Sequence, residues 1–275
     1  MLIVNYLLQI NKTMPQINVP VMADLATQGK KPEYLYWVGC AGAFDERYKK
    51  TTRAFAKILN KSKVDYAVLG KEESCSGDPA KRAGNEMLFQ MQALTNIEVM
   101  NAYKVKKIIC TCPHCYNIIK NEYGELGGNY EVYHYTTFLE QLIEQGKLEI
   151  DKKIFSDKRI TFHDPCYLGR GNGVYDAPRN VIKAFNSDYT ELKRAKSYAL
   201  CCGAGGAQMF KEAEKGEKEV YSERTEDVLE SKADIVATSC PFCMTMLSDG
   251  IKYKDKQETL KNYDLAELIA ENMGL

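Results

Sequence analysis

Cysteines recur along this chain in a duplicated pattern. The chain has 275 residues and ten cysteines, and nine of the ten fall into two series with matching spacing. In each series, 34 residues separate the first two cysteines, and a Cys-Pro-X-Cys motif closes the series. The first series is Cys40, Cys75, Cys112 and Cys115, and the second is Cys166, Cys201, Cys202, Cys240 and Cys243. Because the segments VKKIICTCPHCYNIIKNEYG and ADIVATSCPFCMTMLSDGIK are also similar, we infer that one unit has been duplicated.

Short β-rich runs alternate with helical patterns in both halves. The predicted strands are 34–39, 64–70, 105–110, 130–134, 159–164 and 233–238, and the predicted helices are 45–59, 79–100 and 265–271. This alternation predicts an α/β fold of two units, each a small parallel sheet flanked by helices. We expect these units at 34–150 and 159–275, after an N-terminal extension over 1–33.

Two further expectations concern the extension and one of the helices. Within the extension, Met14 is a candidate native start. In the helix predicted over 79–100, Met87 and Met91 follow the helical spacing and are predicted to be buried.

The cysteines of both series fall at or just beyond the carboxyl ends of predicted strands. Open α/β sheets form their binding crevices at these ends, so four sulfurs should converge in each unit. Each Cys-Pro-X-Cys motif also opens a predicted helix, whose free N–H groups and dipole would favour thiolates. The strand ends are therefore the predicted site.

Charge and hydropathy exclude several classes of protein. The 37 Lys and Arg residues balance 37 Asp and Glu residues, so nothing favours nucleic-acid binding. No apolar run reaches the roughly 20 residues of a membrane-spanning helix. The first residues lack a basic region and a cleavage site for secretion, which predicts a reducing, cytoplasmic compartment. The cysteines then have a use other than disulfides.

Three uses of converging thiols compete. Zinc accepts four ligands, and the adjacent Cys201 and Cys202 bring the second series to five, which favours an iron–sulfur cluster. A zinc-binding structural scaffold remains an alternative. Thiol–disulfide exchange by Cys112 and Cys115 is a second alternative, because CPHC opens a helix after a strand.

Longer motifs carry a family resemblance. The second half contains ITFHDPCYLGR (160–170), LCCGAGGAQMF (200–210) and CPFC, and the first contains YWVGCAGAFDER (36–47), CSGDPAKRAGNE (75–86) and CTCPHCYNIIKNEYG (110–124). These motifs resemble the cysteine-rich CCG domain of heterodisulfide reductase subunits B and D, and iron–sulfur subunits of glycolate and lactate oxidation are similar. The resemblance implies an oxidoreductase subunit that transfers electrons, in which a complete unit holds a noncubane 4Fe–4S cluster on five cysteines.

The two halves of the chain match the ligand positions of the family motif to different extents. All five ligand positions of the second half are cysteines: Cys166, Cys201, Cys202, Cys240 and Cys243. The first half supplies Cys40, Cys75, Cys112 and Cys115, but its CCG position reads Cys75-Ser76-Gly77. A cubane cluster on four cysteines, ligation by the Ser76 oxygen and an empty site all stay open. Cys110 is either a fifth sulfur on the same strand face as Cys112 or a buried core residue.

Charged and aromatic neighbours complete the predicted site. His163 precedes Cys166 and is interpreted as a hydrogen-bond or proton donor to the cluster sulfurs, or as a structural histidine. His114 is expected to tune the potential of a centre, and Arg170, like Arg82 and Arg179, to balance cluster charge or to lie on a helix surface.

Partners follow from what the chain lacks. The sequence shows no ferredoxin-type cysteine run and no flavin or nicotinamide fingerprint. We therefore expect a ferredoxin-like or flavoprotein partner in trans, and a disulfide, a quinone or another carrier on the other side. Such a partner could place the chain at the membrane periphery.

Overall fold

Two four-stranded parallel sheets form the framework of the chain in a computed structural model, which describes residues 17–212 and 215–275. The described residues group into two units. One comprises 17–111 and 115–135, and the other comprises 112–114, 136–212 and 215–275.

The first sheet has the strand order β2-β1-β3-β4. Its strands are β1 (Tyr34–Trp37), β2 (Tyr66–Ala67), β3 (Lys107–Cys110) and β4 (Glu131–His134). All of its pairings are parallel, and the register sets Trp37 beside Cys110 at the carboxyl end. The inner strands are buried on both faces, which is why they read as apolar runs.

The second sheet repeats this arrangement, with the order β6-β5-β7-β8. Its strands are β5 (Arg159–Phe162), β6 (Asp188–Tyr189), β7 (Ile235–Thr238) and β8 (Lys261–Asp264), again all parallel. A cluster of buried side chains joins Val236 of β7 to residues outside the sheet, which include Val228 and Leu247. The predicted fold class, a duplicated α/β unit with cysteines at the strand carboxyl ends, is confirmed.

Helices connect the strands, as parallel pairing requires. In chain order they are α1 (Met22–Thr27), α2 (Gly39–Phe44), α3 (Tyr48–Lys61), α4 (Asp78–Arg82), α5 (Glu86–Ala102), α6 (Pro113–Asn121), α7 (Tyr135–Glu144), α8 (Gly169–Asn172), α9 (Asp176–Ala184), α10 (Val220–Glu230), α11 (Pro241–Tyr253) and α12 (Leu265–Asn272). Within the described ranges, none of these helices has both the length and the apolar character needed to cross a bilayer.

The helix predicted over 79–100 is two helices, α4 and α5. The chain turns at Gly84, whose φ of +84° suits glycine, and the Asn85 side chain then caps α5 by accepting from the Leu88 N–H at 3.1 Å. The prediction that Met87 and Met91 are buried is wrong, because they are 74% and 59% exposed. Helix α5 buries the face that carries Phe89, and residues two positions away lie about 200° around the helix.

Part of the predicted extension belongs to the first sheet's edge. Val21 forms a parallel bridge with Val68, and the Met22 N–H donates to the Val68 carbonyl at 2.9 Å. The candidate start at Met14 lies outside the described residues. Residues 136–150 group with the second unit, and the predicted boundary at residue 150 stays a prediction.

Candidate functional site

The cysteines of the second unit lie where its two central strands end. Cys166 follows β5 in the loop that leads to α8, and Cys240 is the N-cap of α11, directly after β7. Pro241 occupies the first turn of α11, so the motif opens a helix as predicted. The strands are parallel, and their carboxyl ends therefore meet at one edge of the sheet.

The five sulfurs of this unit form a continuous chain of contacts. The Cys166 thiol hydrogen-bonds to Cys201, which also interacts with its neighbour Cys202. Cys202 in turn contacts Cys243, and Cys243 contacts Cys240. The structure thus brings together all five residues that the sequence predicts as ligands, across 77 positions of the chain from Cys166 to Cys243.

The surroundings of two of these cysteines lower the pKa of the thiol. Donation from the Cys166 and Cys202 thiols, helped by the Gly203 N–H at 3.3 Å, holds the pKa of Cys201 far below its usual range. Burial raises the pKa of Cys240, but hydrogen bonds from Cys243 and His114 outweigh it and lower the pKa to about 5. A lowered thiol pKa favours the thiolate, which is the form of cysteine that binds metal.

His163 lies against this sulfur cluster. One of its ring nitrogens and the sulfurs of Cys202 and Cys243 all lie within 4.8 Å of one another. Its Nδ1 accepts a hydrogen bond from Arg224 Nε at 2.9 Å, and its Nε2 is buried with no hydrogen-bond partner among the described residues. Burial, and then the charge of Arg224, lowers the pKa of His163 well below its usual range.

Arg224 is a functional candidate that the sequence analysis missed. It lies on α10 with a fully buried side chain, and its Nη1 donates to the Arg194 carbonyl and to Asp227. In the sequence, an Arg three residues before an Asp resembles a pair on a solvated helix face. No local sequence pattern distinguishes the buried Arg224 from an arginine in such a solvated pair.

Salt bridges fix the loop that precedes Cys166. Arg179 donates to both oxygens of Asp164 at 2.8 and 2.9 Å and also pairs with Glu191. The Lys196 N–H donates to Asp164 as well, at 2.8 Å. Arg179 is therefore neutralised by carboxylates and is a structural group of the loop.

The other predicted arginines have similar backbone or carboxylate partners. Arg170 is exposed, and its Nη1 donates to the Ala199 carbonyl at 2.5 Å, two residues before Cys201. Arg82 pairs with Asp78 and Glu122. Of these, Arg170 supports the backbone next to the sulfur cluster.

His114 groups with the second unit, together with Cys112 and Pro113. Its ring packs against Tyr167 with centroids 4.4 Å apart and against Phe242 with centroids 4.9 Å apart. It also hydrogen-bonds to Cys240. The position predicted from sequence, inside the first Cys-Pro-X-Cys motif, thus places this ring beside a sulfur of the second series.

The first unit shows a shorter version of the sulfur chain. The Cys40 thiol donates to Cys75, and together with the Gly77 N–H this lowers the pKa of Cys75 to about 7 despite burial. The Ser76 hydroxyl donates to Cys115 Sγ at 3.4 Å. Ser76 thus makes the contact that Cys202 makes with Cys243 in the second unit, with an oxygen where the second unit has sulfur.

Cys110 and Glu73 adjoin this first cluster. Cys110 is fully buried at the end of β3, and burial, then the charge of Cys115, raises its pKa well above its usual range. Glu73, which the sequence analysis missed, is a buried carboxylate that accepts from the N–H groups of Val38 and Gly39 at 3.1 and 2.6 Å. Burial raises the pKa of Glu73 to about 7, although these two N–H groups oppose the shift.

Comparison with known families decides where this arrangement belongs. A family described as the CCG cysteine-rich domain matches residues 34–120 and 160–248, one match in each half. The chain belongs to the CCG family. The resemblance inferred from the motifs is confirmed, and the two matched ranges contain all ten cysteines, five in each.

Curated relatives are longer proteins. EtfAB:quinone oxidoreductase of Syntrophomonas wolfei is 46% identical over 90% of this chain and 35% of its own length. Probable iron-sulfur-binding oxidoreductase FadF of Bacillus subtilis is 42% identical over 94% of this chain and 36% of its own. A component of the dihydromethanophenazine:CoB--CoM heterodisulfide reductase of Methanosarcina barkeri is 35% identical over 89% of this chain and 60% of its own. The CCG chain thus spans about a third of the first two relatives.

Proposed function

We propose that this chain is the iron–sulfur electron-transfer part of an oxidoreductase complex related to heterodisulfide reductase. The second unit would hold a noncubane 4Fe–4S cluster on Cys166, Cys201, Cys202, Cys240 and Cys243. The single observation that carries this proposal is the continuous chain of five sulfurs, which includes an adjacent pair.

The donor set fits iron–sulfur better than zinc. Tetrahedral zinc accepts four ligands, and five sulfurs in contact exceed that number. Neighbouring thiolates such as Cys201 and Cys202 can each bind a different iron of one cluster. His163 adds a buried Nε2 with no hydrogen-bond partner among the described residues, and one of its ring nitrogens lies within 4.8 Å of the Cys202 and Cys243 sulfurs. A large anionic group with hydrogen-bond acceptors could use such a nitrogen.

Burial argues against the alternative of thiol–disulfide exchange. An exchanging thiolate must reach the sulfur of its substrate, so it needs access. Cys112 and Cys115 are 6% and 5% exposed, and Cys115 Sγ already accepts from Ser76. A protein disulfide would not reach these sulfurs without a rearrangement of the site.

For the cysteines of the first series, Cys40, Cys75, Cys112 and Cys115, we propose a cluster of their own. Ser76 stands at the position of the fifth cysteine, with its oxygen directed at Cys115. Four cysteines suffice for an ordinary cubane cluster. The two units would then carry different cluster types.

A bound cluster would supply one-electron chemistry, and the chain would hold it, shield it from water and donate hydrogen bonds to it. Electrons would come from a ferredoxin-like or flavin-containing partner and leave to a disulfide, a quinone or another carrier. The names of the relatives, which include a quinone oxidoreductase and a heterodisulfide reductase, support this class of reaction. The part of those relatives that lies beyond the match leaves room for such partner modules.

Metal analysis after anaerobic purification tests the proposal. We expect about eight irons and as many acid-labile sulfides per chain, about four for each cluster, and no stoichiometric zinc. Cys202→Ser should remove the paramagnetic resonance signal of the second cluster. Cys110→Ser, which changes the cysteine outside both series, is the matched control and should keep that signal. Stoichiometric zinc without sulfide, or a Cys202→Ser protein with unchanged iron and spectrum, would contradict the proposal.

A further inference from the structure

Each unit places an aromatic ring with a nitrogen at the same position, three residues before its first cysteine. In the first unit this residue is Trp37 and in the second it is His163, 126 positions later, which is the offset between Cys40 and Cys166. Both side chains are buried, at 0% and 1% exposure. Trp37 Nε1 and His163 Nε2 both lack a hydrogen-bond partner among the described residues. A buried polar nitrogen without a partner is destabilising, so its repetition at equivalent positions indicates a ligand.

Both rings lie near the last cysteine of their own series. A ring nitrogen of His163 lies within 4.8 Å of Cys243 Sγ and of Cys202 Sγ. In the first unit, the point where a Cβ on Gly39 would stand is 3.4 Å from Cys115 Sγ and 3.9 Å from Trp37 Nε1. The indole N–H edge and the Cys115 sulfur therefore border the same small space.

The two rings differ in what they can do unaided. An indole N–H only donates, so Trp37 needs no help to serve as a donor. A neutral imidazole carries its proton on either nitrogen, and the hydrogen bond at one nitrogen decides the role of the other. For His163 that hydrogen bond comes from Arg224, whose Nε lies 2.9 Å from Nδ1.

The hydrogen bond from Arg224 permits only one neutral tautomer of His163. A guanidinium has donors and no acceptor, so the Nδ1 that it contacts must carry a lone pair. The ring proton then resides on Nε2, the nitrogen without a partner. An Nε2 that carries a proton is a donor to sulfur and is not a metal ligand, so His163 would not complete a zinc site with Cys202 and Cys243.

Arg224 is itself held in a fixed direction. Its Nη1 donates to Asp227 Oδ2 at 2.9 Å and to the Arg194 carbonyl at 2.8 Å. Arg194 in turn donates from Nε to Asp227 Oδ2 at 2.8 Å. With its guanidinium fixed on this side, Nε remains directed at the histidine.

We propose that Arg224 is a positioning residue that makes His163 an N–H donor to the sulfur centre of the second unit, and that Trp37 supplies the equivalent N–H in the first unit. The part of this inference that concerns a bound cluster rests on the proposed function. The tautomer of His163 does not, because it is a property of the polypeptide alone. A hydrogen bond to a ligating sulfur stabilises the reduced state and so raises the reduction potential.

The first experiment reads the tautomer in the metal-free reduced protein. The chain has three histidines, so nitrogen-15 labelling of histidine gives three resolvable rings, and loss of one in His163→Gln assigns the signal. We expect the Nε2–H tautomer in the native protein and in Arg224→Lys, which keeps a donor at this place. Arg224→Met should lose that preference, whereas Lys183→Met, a control that removes an exposed cation from the same unit, should retain it. An Nδ1–H or doubly protonated ring in the native protein overturns the proposal.

The second experiment follows the reduction potentials of the iron-loaded protein by paramagnetic resonance. His163→Phe and Arg224→Met should lower the potential of the second centre and leave the first unchanged. Trp37→Phe should lower that of the first centre alone. Potentials that do not move in these variants overturn the donor role. If the protein takes up no iron, the proposed function is wrong, but the tautomer of His163 can still be measured and tests its own part of the proposal. If Arg224→Met does not fold, the native protein and Arg224→Lys still decide the tautomer.

Discussion

Replacing Arg179 with methionine should destabilise the second unit by about 3–5 kcal/mol, the cost of breaking a buried ion pair from one side. The side chains of Arg179 and Asp164 are 4% and 2% exposed, and they share two hydrogen bonds of 2.8 and 2.9 Å. Without Arg179, the Asp164 carboxylate remains buried with its charge and keeps the hydrogen bond from the Lys196 N–H. The pairing with Glu191, which is 39% exposed, adds less than about 1 kcal/mol.

Urea unfolding of the metal-free protein under reducing conditions measures this cost. Arg179→Met combined with Asp164→Asn should recover part of the loss, since the double variant removes the unpaired charge, and the two effects should not add. Lys183→Met, which removes an exposed cation from the same helix as Arg179, is the control and should change the free energy of unfolding by less than about 0.5 kcal/mol. A loss below about 1 kcal/mol in Arg179→Met would refute the reasoning.

Three further changes test separate parts of the structure. Gly250→Ala should lower the free energy of unfolding by about 1–3 kcal/mol, because its Cβ would come within 2.0 Å of Thr225 Oγ1 where α11 packs on α10. Adding Thr225→Ala should recover part of this loss, and an unchanged free energy in urea unfolding would count against that packing. Ser76→Cys should give the first unit a fifth sulfur beside Cys115 and a new paramagnetic resonance signal, and an unchanged spectrum would mean that Ser76 costs the unit no ligand. Met91→Lys should change the free energy of unfolding by less than about 0.5 kcal/mol because the side chain is 59% exposed, and a loss above about 1 kcal/mol would restore the prediction that it is buried.

Six of the eight strands in the described part of the chain, and the cysteine positions, were predictable because both depend on local pattern and spacing. The sequence did not predict the edge strands β6 and β8. Parallel strands buried on both faces read as apolar runs, and parallel pairing brings their ends together without further information. Cys166 and Cys240 could therefore be placed at one sheet edge from the sequence. The duplication helped, since an expectation in one half could be checked against the other.

The features that the sequence did not predict correctly depend on tertiary contacts. Helix α5 is apolar on more than one side, and the sequence does not say that Phe89 faces inward while Met91 faces outward. The buried charges of Arg224 and Glu73 follow no periodicity, because their partners, His163 and the N–H groups of Val38 and Gly39, come from distant segments. Such residues become visible only when the burial and hydrogen bonds of the fold are known.

Anomalous X-ray diffraction at the iron absorption edge, from crystals grown without oxygen, tests the central claim most directly. We predict a strong iron peak in the second unit within bonding distance of the sulfurs of Cys166, Cys201, Cys202, Cys240 and Cys243, with His163 Nε2 beside it and not bound to metal. A map without iron there, or a peak that appears at the zinc edge instead, would contradict it.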